Sequence, residues 1–255
     1  MTGVQIEPTW NLAIALVVLV ILGTLVASWG RLQIKGQIVV AAVRAALQLT
    51  AVSSIIVLAI QHLWSSALFV LAMFTIAVFT TTGRVGTRNV WWWSALAMAS
   101  GAIPVLLIVF LTGTAPFNGL SLIPIGSIVV GNMMTAHTLA GRRFFPELRD
   151  KIGIYEGVLA LGLPRRRAIW MVLEPVASEP LVPTLDSTRT VGLVTLPGAF
   201  IGVLLGGGTP LQAGASQLLV LVGILVGQVI TVTVMHRMIA AAYLLPTDLR
   251  GALRA

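Results

Sequence analysis

Residues 10–28 read WNLAIALVVLVILGTLVAS, an apolar run without a charged side chain. A helix rises about 1.5 Å per residue, so about 20 apolar residues cross the hydrocarbon core of a bilayer. Six further runs are long enough to cross: residues 38–60, 63–82, 91–112, 120–140, 190–205 and 213–243. The pattern predicts an all-α polytopic membrane protein with about seven transmembrane helices, and we assign residues 1–255 to a single transmembrane domain.

The composition excludes a soluble globular protein. Hydrophobic residues make up 57% of the chain and charged residues 9%, whereas a soluble domain carries about 25% charged residues. Cysteine is absent, which excludes disulfides and thiolate metal sites. The first run lacks a basic leader segment and an Ala-x-Ala cleavage site, so we interpret it as a retained span.

Lysine and arginine occur in alternate loops, which predicts the orientation. Basic residues of loops stay on the cytoplasmic side of a membrane. The basic loops and tail contain Arg31, Lys35, Arg84, Arg88, Arg142, Arg143, Arg149, Lys151, Arg165, Arg166, Arg167, Arg250 and Arg254. The N-terminus is therefore expected outside and the C-terminus inside. The net charge of +8 is a topology signal, and we expect a lipid bilayer and no nucleic acid as partner.

The most basic loop, residues 142–189, contains a candidate coupling helix in Glu156-Gly157-Val158-Leu159-Ala160-Leu161-Gly162. A short amphipathic helix at the inner face can dock into a groove of a partner protein. Val158 and Leu161 would supply apolar contacts, and Gly157 and Gly162 would permit close approach or a turn. Charge toward the partner or the lipid would come from Arg165, Arg166 and Arg167. The alternative is an interfacial amphipathic helix without a partner.

Several motifs resemble one family of transporters. Glu156 followed by Gly162, with Val172 and Pro175 beyond, resembles the cytoplasmic coupling loop of ABC-transporter permeases. The segment PTLDSTRTVGLVTLPG at 183–198 resembles the FetB (YbbM) group of these permeases. So do RAALQL at 44–49, IG and GNMM within 125–134, and GGGTPL at 206–211.

This resemblance implies a permease subunit in the cell (inner) membrane that acts as a homodimer. It implies a separate FetA-like ATPase, which would bind ATP and Mg, and export of a metal cation, chiefly iron. Two departures bear on the cargo. The family usually has methionine where this chain has Ser127, and two methionines where it has Ala199 and Phe200.

Polar and sulfur side chains within the spans are the candidate substrate path. Arg44 and Gln48 are four residues apart in the second run and share a helical face. They either line the path, or snorkel to the interface and bond a neighbouring helix. Asn132, Met133 and Met134 lie in the middle of the fifth run, where they offer oxygen and sulfur ligands or simply fill space.

Three acids, Glu174, Glu179 and Asp186, form a tentative metal-collecting group on the inner side, since hard cations prefer carboxylate oxygens. Seven basic residues nearby favour a salt-bridged scaffold instead. His62, His137 and His236 have no ligand spacing, and we expect them at the membrane interfaces.

The chain contains no P-loop, no HExxH and no paired catalytic acids, so we expect no enzyme and no cofactor on this chain. The function predicted is therefore an ABC permease that exports a metal. An ABC permease for a non-metal small molecule and an ion-gradient-driven secondary transporter remain alternatives. A scaffold that binds an ATPase without transporting is a third.

Overall fold

The computed structural model describes residues 9–253, which form helices and turns without a strand. The helices are α1 (Trp10–Trp29), α2 (Lys35–Ala59), α3 (Leu63–Val85), α4 (Trp91–Leu111), α5 (Gly119–Asp150), α6 (Ile152–Ala160), α7 (Arg165–Leu173), α8 (Val182–Thr190), α9 (Gly198–Leu205), α10 (Pro210–Ala240) and α11 (Thr247–Ala252). Short 3₁₀ turns occupy Arg88–Val90, Glu174–Val176 and Glu179–Leu181. The all-α prediction is confirmed.

Among the described residues, six helices are long and apolar enough to cross a membrane: α1, α2, α3, α4 with the turn before it, α5 and α10. They coincide with six of the seven predicted runs. The chain is a polytopic helical membrane protein. Arg254 of the predicted basic tail lies outside the described residues.

The sixth predicted span, residues 190–205, is wrong as a single helix. α8 ends at Thr190 and α9 begins at Gly198. Two residues between them disfavour helix. Gly192 has a φ of +79°, and Pro197 restricts Leu196 to extended conformations. The apolar run 190–205 therefore predicted a longer helix than α9, which covers only Gly198–Leu205.

α5 is longer than the run that predicted it, because its C-terminal end is stabilised by charges rather than by apolar residues. Glu147 pairs with Arg143 at 2.6 Å and with Lys151 at 2.5 Å, each four residues away along the chain. Such pairs stabilise a helix beyond the bilayer. α5 thus continues through Arg142 and Arg149, which were expected in a loop.

Packing divides the chain into two compact units at Gln61 and His62. In the first, α1 and α2 pack together. In the second, α3, α4, α5 and α10 form a bundle, and α6, α7, α8, α9 and α11 pack on it.

One buried cluster, centred on Met98 and Met133, lies among α3, α4 and α5. Another, which includes Phe144 and Ile169, joins the C-terminal ends of α5 and α10 to α6, α7 and α11. The assignment of 1–255 to a single domain stays a prediction.

Candidate functional site

Three spans meet closely halfway along the bundle. A Cβ atom placed on Gly101 of α4 would lie 2.3 Å from the carbonyl oxygen of Gly227 on α10. Met133 of α5 fills the remaining space and is fully buried. Its sulfur accepts a hydrogen bond from Thr231 Oγ1 at 3.1 Å. The sulfur predicted to face a substrate is therefore engaged inside the bundle.

A polar network lies at the same level. Gln228 of α10 is 2% exposed. Its Nε2 donates to the carbonyl oxygen and to Oδ1 of Asn132, both at 3.3 Å. Its Oε1 accepts a hydrogen bond from Thr184 Oγ1 at 2.6 Å. One glutamine therefore ties α5, α8 and α10 together, and it contacts one of the predicted path residues.

The other predicted path residues lie elsewhere. Met134 is half-buried and packs against the cluster around Met98. Arg44 and Gln48 belong to the first unit, where they are exposed and line one open surface of α2 together with Leu47.

His137 corrects the expectation of an interfacial histidine, since it is completely buried in the bundle. Its Nδ1 lies 3.0 Å from Thr81 Oγ1, which is also 2.8 Å from Thr138 Oγ1. Its Nε2 is buried without a hydrogen-bond partner among the described residues. The cluster joins α3 to α5 about one turn from Met133.

The candidate coupling helix is α6, followed by a tight turn into α7. The Gly162 N–H donates to the Leu159 carbonyl at 2.8 Å, and the Leu163 N–H donates to the Val158 carbonyl at 3.3 Å. These two bonds form a Schellman cap, which requires the left-handed conformation that Gly162 adopts at φ +81°. Pro164 then precedes the first turn of α7. Glycine and proline therefore determine the geometry of this turn.

One face of α6 is free. Glu156 and Gly157 are exposed and Leu161 is 81% exposed. A Cβ on Gly157 or on Gly162 would meet no atom within 4 Å. Val158 was expected to contact a partner, but it is 6% exposed and belongs to the protein's own core. Arg166 is exposed, whereas Arg165 is half-buried and its Nε is buried without a partner among the described residues.

Aromatic contacts join α7 to the spans. Trp170 of α7 stacks on His236 of α10, with ring centroids 4.3 Å apart. His236 in turn lies 5.7 Å from the ring of Phe144 on α5. A displacement of α7 would therefore shift side chains of two spans, α10 and α5.

Polar contacts add the C-terminal helix to this assembly. Tyr155 Oη donates to the Leu253 carbonyl at 3.1 Å, and burial raises the pKa of this hydroxyl. Arg149 of α5 bonds Asp248 of α11, with Nε and Oδ2 2.7 Å apart. This guanidinium lowers the pKa of the Asp248 carboxyl, so the pair persists at neutral pH.

The structure does not bring the three predicted acids together. Glu179 is paired through both carboxylate oxygens with Arg143, and Asp186 lies 3.6 Å from Arg189. Glu174 is exposed and begins a 3₁₀ turn. Among residues 9–253, no group of three His, Cys, Asp or Glu side chains is arranged to hold a metal ion.

Residues 9–244 match the Uncharacterised protein family UPF0014. The chain belongs to this family. The match spans both compact units, and the two sequence-based predictions of a membrane protein and of a FetB-type relative agree with it. No solved structure resembles the chain significantly.

Relatives of the chain occur in plants and bacteria. Protein ALUMINUM SENSITIVE 3 of Arabidopsis thaliana is 27% identical over 210 residues, covering 81% of this chain and 77% of that protein. The UPF0014 membrane protein slr1647 of Synechocystis sp. is 31% identical over 211 residues, covering 79% and 81%. The "Probable iron export permease protein FetB" of Escherichia coli is 32% identical over 131 residues, covering 50% and 49%.

Proposed function

We propose that the chain is the permease subunit of an ABC transporter that exports a metal cation such as iron across the inner membrane. The observation that carries this proposal is the exposed face of α6 around Gly157 and Leu161. α6 packs on α7, and α7 packs on α5 and α10, so a push on this face would reach two spans. A membrane protein driven by an external motor needs such a surface. A relative named as a probable iron export permease supports the cargo.

The partner would be a FetA-like ATPase that binds ATP and Mg, and two copies of each chain would form the transporter. Closure of the ATPase dimer on ATP pushes α6 and α7. Because α5 is one helix of 32 residues, the push reaches Asn132 and the mid-span network. Alternation between inward- and outward-open states follows from two packings of these spans.

The candidate path residues differ in burial. Met133 is buried and bonded to Thr231, so we propose that it serves packing. In the second unit, Asn132 and Met134 are half-buried and stay proposed path residues. In the first unit, Arg44 and Gln48 are exposed and also stay proposed path residues.

The test is transport in liposomes that contain the chain and a FetA-like ATPase, with iron, manganese, zinc and no metal compared. We expect ATP-dependent movement of a metal and faster ATP hydrolysis in its presence. If no metal moves and ATPase turnover ignores metals, the cargo proposal fails. Movement that needs an ion gradient but no ATP would instead establish a secondary transporter.

A further inference from the structure

The N-terminus of α9 presents backbone N–H groups that no carbonyl of its own helix can accept. α9 begins at Gly198, directly after the non-helical residues 191–197. The Phe200 N–H donates to Oε1 of Gln217 on α10 at 3.3 Å. The N–H groups of Gly198 and Ala199 have no acceptor among the described residues, and Pro197 at the N-cap provides no side-chain cap. Two backbone donors of α9 are therefore free.

Gln217 brings a buried amide to the same N-terminus. Its side chain belongs to a residue that is only 6% exposed. A backbone N–H requires an oxygen as its acceptor, so the bond to Phe200 determines which atom of the amide faces α9. The other atom, Nε2, has no hydrogen-bond acceptor within residues 9–253. Buried amides are nearly always hydrogen-bonded, so we expect an acceptor at this position.

These donors lie beside a helix that is long enough to span the membrane. Gln217 is about 10 Å from the first residue of α10, which is a candidate span. Thr184 bonds Gln228, about 16 Å farther along the axis of α10, so the chain between Thr184 and Phe200 runs beside this helix. Lipid chains offer no hydrogen-bond acceptor. The free donors therefore need protein, water or a ligand.

The electrostatics favour a negatively charged oxygen at this position. The peptide dipoles of a helix place about half a positive charge at its N-terminus, and half-helices within membranes bind anionic groups at this end. In the six candidate spans of the described residues, the only acids are Glu147 and Asp150, at the C-terminal end of α5. Asp186 on α8 already pairs with Arg189. A bare cation would therefore meet N–H donors here and no free carboxylate.

We propose that the N-terminus of α9 and the amide of Gln217 form a binding site for a carboxylate or phosphate oxygen of a small anion. For the cargo, this inference rests on the proposed function: an exported metal passes this site as a complex with such an anion, not as a bare cation. Binding of the anion needs no ATPase, so the site can be tested on the chain alone.

The first test measures binding to the purified chain in nanodiscs of phosphatidylcholine. Citrate, phosphate and chloride are titrated at equal ionic strength, and the heat of binding is recorded. We expect saturable binding of citrate or phosphate and none of chloride. Absence of binding by both oxyanions would overturn the proposal. Stabilisation of the chain by phosphatidylglycerol, without binding of citrate or phosphate, would identify a lipid headgroup and would also overturn the small-anion site.

Three variants test the donors one by one. Gly198→Pro removes one N–H but keeps α9, because proline suits the first position of a helix and Pro197 is already extended at φ −69° and ψ 160°. Gly198→Ala is the matched control, since it keeps the N–H and its Cβ meets no atom within 4 Å. Gln217→Glu keeps an oxygen for Phe200, which preserves the fold, but it removes the Nε2 donor and adds a negative charge.

We expect the Kd of the bound oxyanion to rise at least about tenfold in Gly198→Pro and in Gln217→Glu, because each loses a hydrogen bond to a charged group. Gly198→Ala should bind as the unchanged chain does. Equal binding by Gly198→Pro and Gly198→Ala would contradict the proposed role of the α9 N–H groups. If the unchanged chain binds no oxyanion and Gly198→Pro unfolds at a lower temperature than Gly198→Ala, another part of the chain caps α9 and the site does not exist.

Transport separates this inference from the proposed function. In liposomes that contain the chain and a FetA-like ATPase, iron supplied with excess citrate should move faster than iron alone, and Gln217→Glu should abolish the difference. If iron alone moves and citrate slows it, the anionic cargo is wrong and the exporter stands. If nothing moves with ATP although the chain binds citrate, the exporter is wrong and the anion site stands.

Discussion

At the scale of single residues, buried polar side chains in this bundle connect helices. Asn132 could be singled out from the sequence, because a polar residue in the middle of an apolar run is conspicuous. Its partners could not, since Gln228 lies 96 residues farther along the chain and Thr184, which also bonds Gln228, lies 44 residues before that glutamine. The available signal was the pair of glutamines, Gln217 and Gln228, in the run 213–243, but their partners depend on the tertiary fold.

The contact between Thr184 and Gln228 leads to a stability prediction. Thr184→Val removes the hydroxyl that bonds the glutamine but keeps the shape of the side chain. We expect a loss of about 0.6–1.7 kcal/mol, the range measured for hydrogen bonds between membrane helices. Thr75→Val is the matched control, because Thr75 bonds only the carbonyl of its own helix at Leu71. The midpoint temperatures of the two variants are compared by thermal unfolding in detergent. Equal midpoints would contradict a stabilising role for the bond between Thr184 and Gln228.

Met133→Leu addresses the assignment of this methionine to packing. The two side chains have similar volume, so we expect stability to fall by less than about 1.5 kcal/mol. Metal transport should continue at the rate of the unchanged protein. Asn132→Ala, measured beside it, should slow transport because Asn132 is half-buried in the proposed path. If transport is slowed in Met133→Leu and not in Asn132→Ala, the Met133 sulfur contacts the substrate and the assignment to packing is wrong.

At the scale of helices, six predicted runs became helices because apolar length is sufficient to specify a span. The C-terminal end of α5 was not predicted, because ion pairs around Glu147, not apolar residues, extend it. The break after α8 was missed for the opposite reason. Residues 190–205 are apolar, but Gly192 and Pro197 prevent a continuous helix, and the hydropathy pattern does not register backbone conformation.

Close packing of α4 on α10 depends on Gly101. In Gly101→Ala the new methyl group would lie 2.2 Å from Thr231 Oγ1, so the two helices must separate. Overpacking of this kind destabilises by about 1–3 kcal/mol. Gly131→Ala is the control, because a Cβ there meets no atom within 4 Å, and it should leave stability equal or higher. The free energy of unfolding is measured for both variants. If Gly101→Ala is as stable as the unchanged protein, α4 and α10 are not in close contact.

The free face of α6 leads to a coupling prediction. Gly157→Arg places a large charged side chain on that face without disturbing the fold. We expect the stimulation of ATP hydrolysis by the permease to fall at least about tenfold. A tenfold loss of affinity corresponds to about 1.4 kcal/mol of docking free energy. Gly251→Arg on α11 adds the same side chain where a Cβ also meets no atom within 4 Å, and should keep full stimulation. Normal stimulation by Gly157→Arg would exclude α6 as the docking helix.

At the scale of the whole molecule, the orientation depends on residues 182–205. The six continuous candidate spans of the described residues would by themselves bring both ends of the chain to one side of the membrane. The basic loops predict opposite sides, which requires a seventh crossing. Thr184 and Phe200 bond α10 at two levels about 16 Å apart along its axis, so we expect residues 182–205 to make that crossing in two helical pieces, where the sequence predicted one ordinary helix.

This topology is testable with cysteines at three positions of the naturally Cys-free chain. Gly207 lies between α9 and α10, so if residues 182–205 cross the membrane, Gly207→Cys reacts with an impermeant maleimide on intact cells. Arg165→Cys and Arg250→Cys should react only after the membrane is permeabilised, because the basic loops predict that both lie inside. If residues 182–205 do not cross, Gly207 shares a side with Arg165. Protection of Gly207 together with Arg165 would therefore contradict the crossing, and external labelling of Arg165 would contradict the orientation.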